Sequence, residues 1–177
     1  MRNLFERGFE IVAVATNRPS CGGAAYARAQ GLPLGELSQK RFESAEARDI
    51  AMRDFFRIQG VELVVDAGYD RVHSAPFLNA FHGRIINIHP SLLPEFAGGM
   101  DAIEQALRAG VDRTGVTVHV VTDQLDAGPI VIQEAVPILP DDTLEILTAR
   151  IHEAEYKVLP AAIFKMESRL ADCSAVG

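Results

Sequence analysis

Two polar side chains close an otherwise apolar run in Gly83-Arg84-Ile85-Ile86-Asn87-Ile88-His89-Pro90-Ser91-Leu92-Leu93-Pro94. Side chains alternate between faces along a strand, so Asn87 and His89 share one face and Ile86 and Ile88 the other. A neutral amide donor beside an imidazole suits the stabilisation of a developing oxyanion. Pro90 has no N–H for a ladder and keeps its predecessor extended, which puts His89 at the carboxyl edge of a sheet. Open α/β sheets bind ligands at that edge. A hydrogen-bonded structural histidine and a turn asparagine fit the same two positions, so the pair alone does not decide.

Other candidates are weaker on residue type alone. Asp126 lies in Thr122-Asp123-Gln124-Leu125-Asp126-Ala127-Gly128-Pro129, where an Asp so close to Gly and Pro reads first as a turn carboxylate. Arg71 follows an apolar run and could touch a ligand or simply face solvent. Cys21 opens a helical stretch, where a thiol becomes more acidic, but a small semi-buried thiol is the commoner case. His82, His89 and His119 have no metal-ligand spacing with Asp or Glu, and no metal site is expected.

The elements that must position these residues are legible. Residues 1–7 read as the last turns of a helix closed by Gly8, and Glu10 to Thr16 as a buried strand. An Ala-rich helix covers Cys21 to Gln30, and Leu32 to Leu37 suggests a short edge strand. Ser44 to Gln59 predicts a helix with an Ile50-Phe55-Ile58 stripe. Val61 to Ala67 predicts an apolar strand and Pro76 to Phe81 a short helix. Asp101-Ala102-Ile103-Glu104 looks like a capping box opening a helix that ends at Gly110. In the strand from Gly115 to Val121, Val116, Val118 and Val120 share one face, with Thr117 and His119 on the other. A second strand spans Ile130 to Val136. Asp142-Thr143-Leu144-Glu145 resembles another capping box, before a helix buried through Leu144, Leu147, Ile151, Ala154 and Val158. Glu155 lies beside that stripe. Pro160 is expected to kink or end the helix, and residues 171–177 to fray.

Alternating strands and helices argue an α/β fold, a mostly parallel, twisted open sheet with helices on both faces. The short 121–130 connection leaves room for an antiparallel hairpin at one side. At 177 residues the chain suits a single domain. A net charge of -7 without a Lys/Arg run argues against a nucleic-acid surface and for small-molecule chemistry. Cys21 and Cys173 form neither a disulfide framework nor a zinc motif, so a reducing, cytoplasmic setting is expected. No stretch approaches the roughly 18 apolar residues of a membrane span, and no membrane partner is expected.

Asn87-Ile88-His89-Pro90-Ser91-Leu92-Leu93-Pro94, followed by Thr117-Val118-His119-Val120-Val121-Thr122-Asp123-Gln124-Leu125-Asp126-Ala127-Gly128-Pro129-Ile130, resembles the signature of the folate-dependent formyltransferases. The match is nearest to the glycinamide ribonucleotide formyltransferases, which have a Rossmann-like fold. The resemblance implies transfer of a formyl group from 10-formyltetrahydrofolate to the amine of glycinamide ribonucleotide in purine synthesis, without a metal. Asn87, His89 and Asp126 become the catalytic trio. Asn87 and a protonated His89 would hold a tetrahedral oxyanion, while Asp126 orients His89 and favours its imidazolium form. Asp126 would also organise a water that relays the proton. By the same resemblance Asp70, Arg71, Val72 and His73, in the loop from Gly68, contact the folate together with Asn87. Glu155 receives the substrate amine, and the loop from Thr122 to Asp126 closes over the pteridine.

Three departures accompany the resemblance. Family members begin with a strand and a Ser-Gly-x-Gly-Ser-Asn loop that holds the substrate phosphate, whereas this sequence opens inside the following helix. Residues 1–9 are therefore read as the remnant of that helix, the fold as N-terminally shortened and the phosphate site as missing. Ala45 stands where the family often has an arginine, and Gly98-Gly99-Met100-Asp101 is one residue longer than usual. Two alternatives stay open: a truncated folate-binding paralogue or partner subunit without turnover, and a hydrolase resembling formyltetrahydrofolate deformylase. A monomer or homodimer is expected.

Overall fold

Apolar runs and amphipathic stretches alternate along the chain and fold as an α/β protein with open sheets, seen in a computed structural model that describes residues 1–174. The chain packs as two compact units, Met1–Val64 with Arg71–His82, and Val65–Asp70 with the chain from Gly83 onward.

The first unit contains α1 (Arg2–Glu6), β1 (Val14–Thr16), α2 (Gly22–Ala29), β2 (Leu34–Glu36), α3 (Ala45–Ile58) and α4 (Ala75–Ala80). Strands β1 and β2 pair in parallel, with Val14 opposite Leu34 and Thr16 opposite Glu36. The strand expected over Glu10 to Thr16 is thus shorter and only half-buried, because it has a ladder partner only where β2 accompanies it. Helix α3 turns a different face inward from the predicted Ile50-Phe55-Ile58 stripe. Its buried residues are Arg48, Asp49, Met52 and Phe56, while Ile58 is 80% exposed. Burial of charge is tolerated because it is satisfied. Arg48 donates twice to Asp49 Oδ1, at 2.9 and 2.6 Å, and the Ser74 N–H donates to Asp49 Oδ2 at 2.6 Å. One face of α3 then brings Phe56 to Phe77 and Phe81, with ring centroids 6.2 Å away in each case.

In the rest of the fold, β3 (Val64–Asp66), β4 (Ile85–His89), β5 (Arg113–Val120) and β6 (Ile130–Pro137) form a four-stranded sheet in the order β3-β4-β5-β6. The expected hairpin is present, since β5 and β6 are antiparallel. Antiparallel pairing also extends to β4 and β5, so the chain combines these pairs with the parallel β1–β2 pair of the other sheet. Residues 114–119 of β5 are all buried. Helix α5 (Ala102–Ala109) connects β4 to β5. Its N-cap Asp101 makes no capping bond; the carboxylate accepts instead from Gln105 Nε2 at 2.7 Å.

Helix α6 (Leu144–Ser174) is capped by Thr143 Oγ1, which accepts from the Ile146 N–H at 3.2 Å. Asp142 serves elsewhere, accepting from the Leu139 N–H and pairing with Arg150 through both carboxylate oxygens. Leu147, Ile151, Ala154 and Val158 are buried as expected, but Leu144 is 43% exposed. The helix neither ends at Pro160 nor frays at 171: it runs through to Ser174, with 175–177 outside the described residues. Pro160 forfeits one backbone bond. The apolar face continues past it through Ala162, Ile163 and Met166, all buried, and that burial outweighs the lost bond.

Candidate active site

The β4–β5 register decides which polar side chains meet. Asn87 pairs with His119, and His89 with Thr117, across the two strands. Side chains of directly paired residues lie on the same face of a sheet. The polar face of β4 is therefore matched by the polar face of β5.

Asn87 is half-buried, and its Nδ2 lies 3.3 Å from His119 Nε2. His119 Nδ1 lies 3.1 Å from the Val120 carbonyl, which can only accept, so Nδ1 carries a hydrogen. With Nδ1 donating, Nε2 can accept from Asn87, and this fixes which end of the Asn87 amide is nitrogen. One Asn87 N–H is used in this bond, and the other has no partner among the described residues.

His89 is buried at the end of β4, and its Nε2 donates to the Phe96 carbonyl at 3.0 Å. Its other ring nitrogen, Nδ1, lies 3.5 Å from Asp126 Oδ2. Asp126 comes from the β5–β6 connection, and its Oδ1 stands 3.5 Å from His119 Nε2. One carboxylate thus faces two imidazoles. It is anchored by the Gly98 N–H, which donates to Oδ2 at 2.9 Å. Asp126 has φ +51° and Phe96 φ +56°, left-handed values uncommon outside glycine. Both residues that engage His89 are therefore held by unusual backbone.

The connection carrying Asp126 is drawn tightly onto β5. The Val120 N–H donates to the Pro129 carbonyl at 2.9 Å, and a Cβ on Gly128 would stand 1.8 Å from the Val120 oxygen. Only glycine permits that approach. A register shift follows Val118, where Val118 pairs with Ile132 but His119 with Ile130. Such a bulge re-aims side chains beside it.

Asn87, His89 and Asp126 are brought together. His119 joins them, although residue type and spacing did not single it out. The available signal was alternation, which places Thr117 and His119 on one face of a strand whose other face is valine. What alternation cannot supply is the register that sets His119 against Asn87.

The other candidates take no part in the bonds that join Asn87, His89, Phe96, Gly98, His119 and Asp126. Asp70 is half-buried in the second unit, while Arg71, Val72 and His73 belong to the first. Val72 is exposed, and His73 is buried with its ring stacked on Phe77 at 4.4 Å between centroids. Glu155 is half-buried on α6, and burial pushes its carboxyl pKa above the ordinary value, with a Coulombic interaction from His152 opposing. Cys21 caps α2, accepting from the Ala24 N–H; that bond and the Thr16 hydroxyl hold its thiol below the usual range. Among the described residues no group of three His, Cys, Asp or Glu side chains could hold a metal ion, and no helix is long and apolar enough to cross a membrane.

A family described as formyl transferase matches residues 3–163. The phosphoribosylglycinamide formyltransferase of Haemophilus influenzae is 37% identical over 154 residues, covering 87% of this chain and 72% of that protein. That of Bacillus subtilis is 42% identical over 147 residues, covering 83% and 75%. The trifunctional purine biosynthetic protein adenosine-3 of Drosophila melanogaster is 43% identical over 154 residues, covering 87% of this chain. The chain spans only 11% of that relative's length. Among solved structures, phosphoribosylglycinamide formyltransferase from Streptococcus pneumoniae superposes with a TM-score of 0.87 at 35% identity, covering 92% of this chain and 89% of that one.

Proposed function

This chain belongs to the formyl transferase family, and from that membership we propose that it transfers a formyl group from 10-formyltetrahydrofolate to the amine of glycinamide ribonucleotide. The observation that carries the proposal is the convergence of Asn87, His89 and Asp126 at the end of β4. The folate supplies an activated formyl carbon; the chain supplies donors, an orienting charge and a low-dielectric setting.

Asn87 offers its second amide N–H to the formyl oxygen, with the amide held in place by His119. His89 offers Nε2–H. In the free chain the Phe96 carbonyl accepts that hydrogen and keeps the ring oriented, so a formyl oxygen takes over an existing hydrogen-bond direction. Asp126 faces Nδ1 and stabilises positive charge on the ring while Nε2–H is donated. It is also the nearby carboxylate able to accept a proton from a water on its way from the attacking amine. Backbone from Asp70 to His73 is assigned to the folate. Glu155 is assigned to the amine; its burial strengthens a charge-assisted bond.

The test is to incubate the chain with 10-formyltetrahydrofolate, with and without glycinamide ribonucleotide, and follow loss of donor and formylation of acceptor. Acceptor-dependent loss with stoichiometric product supports transfer. Equal loss without acceptor would make the chain a hydrolase. Saturable folate binding with no loss would make it a binder.

A further inference from the structure

We propose that Thr117 and Gln133 are positioning residues which hold the loop after β4 so that the Phe96 carbonyl meets His89. Neither touches the reacting groups. Their role follows from where their hydrogen bonds end.

The Thr117 hydroxyl is fully buried and uses its whole hydrogen-bonding capacity. It donates to the Ser91 carbonyl at 2.6 Å and accepts from the Leu93 N–H at 3.1 Å and from Gln133 Nε2 at 2.8 Å. Gln133 Nε2 also donates to the Leu93 carbonyl at 3.0 Å. Both backbone polar groups of Leu93 are thus held by side chains from two neighbouring strands. A backbone turn outside regular structure normally finds such partners within itself or in water. Here they come from the same strands that carry and flank His119.

From that clamp the loop doubles back. The Ser91 hydroxyl and the Leu92 carbonyl both bind the backbone of Glu95, the first donating to its carbonyl and the second accepting from its N–H. Phe96 follows in the left-handed region and presents its carbonyl to His89 Nε2; two residues on, the Gly98 N–H meets Asp126. One hydroxyl and one amide therefore set the register of a segment that contacts two members of the trio. An interior packing role would not require a satisfied hydroxyl, since valine has the same shape.

The inference rests on the formyl-transfer reading only for its kinetic arm. Gln133 lies opposite Thr117 on β6 but is itself an exposed residue, so Gln133→Met removes the amide without opening a cavity in the core. With ¹⁵N-labelled histidine, the His89 Nε2–H should exchange with solvent at least about tenfold faster in Gln133→Met, and faster still in Thr117→Val. Turnover should fall about fivefold or more in Gln133→Met with KM for both substrates little changed, the mark of lost orientation rather than lost binding. Thr117→Ser keeps the hydroxyl and should restore both exchange protection and turnover relative to Thr117→Val. Should Thr117→Val fail to fold, Gln133→Met and Gln133→Glu decide, since neither can donate to Leu93. Unchanged His89 exchange in folded Gln133 variants would overturn the proposal. Altered exchange with no formyl transfer in the parent chain would leave the positioning role standing and sink the activity instead.

Discussion

Asn87 Nδ2 and His119 Nε2 stand 3.3 Å apart across the β4–β5 pairing, and this contact sets the orientation of the amide proposed to bind the formyl oxygen. Without His119 the amide is free to rotate. Replacing His119 by phenylalanine should lower turnover by roughly 5- to 10-fold, the worth of about one hydrogen bond. Steady-state kinetics would show it, and an unaltered kcat would mean that Asn87 is oriented by the substrate itself.

Asn87→Ala and His89→Ala should each reduce turnover by roughly 100-fold or more, as for loss of an oxyanion donor. Single-turnover formyl transfer at saturating donor and acceptor is the measurement. A variant with near-normal rate removes its residue from the mechanism.

Asp126 can be separated into backbone and carboxylate. Its φ of +51° suits asparagine and glycine, so both variants should fold; Asp126→Asn, whose amide oxygen can still accept from the Gly98 N–H, should melt near the parent, and Asp126→Gly, which removes that acceptor, should melt lower. Both lose the charge facing His89 and His119, and turnover should drop by roughly 100-fold in each. Should Asp126→Asn keep its activity, the residue serves the turn alone.

Glu155 gives stability a pH dependence of known sign. Its pKa is raised above 4.5 by burial, so between the unfolded and folded values the folded state binds the proton more tightly. Stability contributed by this group is present below about 4.5 and falls as pH rises toward the raised value. Glu155→Gln should flatten that fall and melt higher than the parent at neutral pH, while losing affinity for the amine. Thermal melts from pH 4 to 8 would reveal it; parallel curves for the two proteins would count against the burial effect.

Asp49→Ala should destabilise the first unit by about 3–5 kcal/mol, because it removes the buried carboxylate that pairs with Arg48 and the acceptor for the Ser74 N–H. Urea unfolding would measure it. A loss below about 1 kcal/mol would show that Arg48 escapes to water.

Much of the fold could be read from periodicity. Strand β4 ends at His89 before Pro90, as the missing proline N–H requires, and the Ser44 cap of α3 forms through the Ala47 N–H. Failures occur where a local rule meets a tertiary partner. The face of α3 depends on a bond from Ser74 to Asp49, 25 positions away, which makes a charged pair preferable to Ile58 inside. Helix α6 passes Pro160 because apolar burial on both sides outweighs one lost bond. In the site, residue types and the family pattern pointed to Asn87, His89 and Asp126. His119, Thr117 and Gln133 depend on strand register and a bulge, which no single strand's sequence contains. Nor does any local signal place Phe96, a bulky residue, in left-handed backbone.

The antiparallel arrangement of β4, β5 and β6 also ranks the chain closures that build the cluster by their entropy cost. Closing residues 121–129 between β5 and β6 costs less chain entropy than closing the 90–112 crossover between β4 and β5. His119 lies near the end of β5 and Asp126 within the shorter connection, so they can become neighbours while β4 is still unpaired. Asn87 and His89 join only when the longer excursion, helix α5 included, has closed. Contacts of greater sequence separation form more slowly. A partly folded chain can thus hold the carboxylate beside one imidazole without exposing a finished reactive centre.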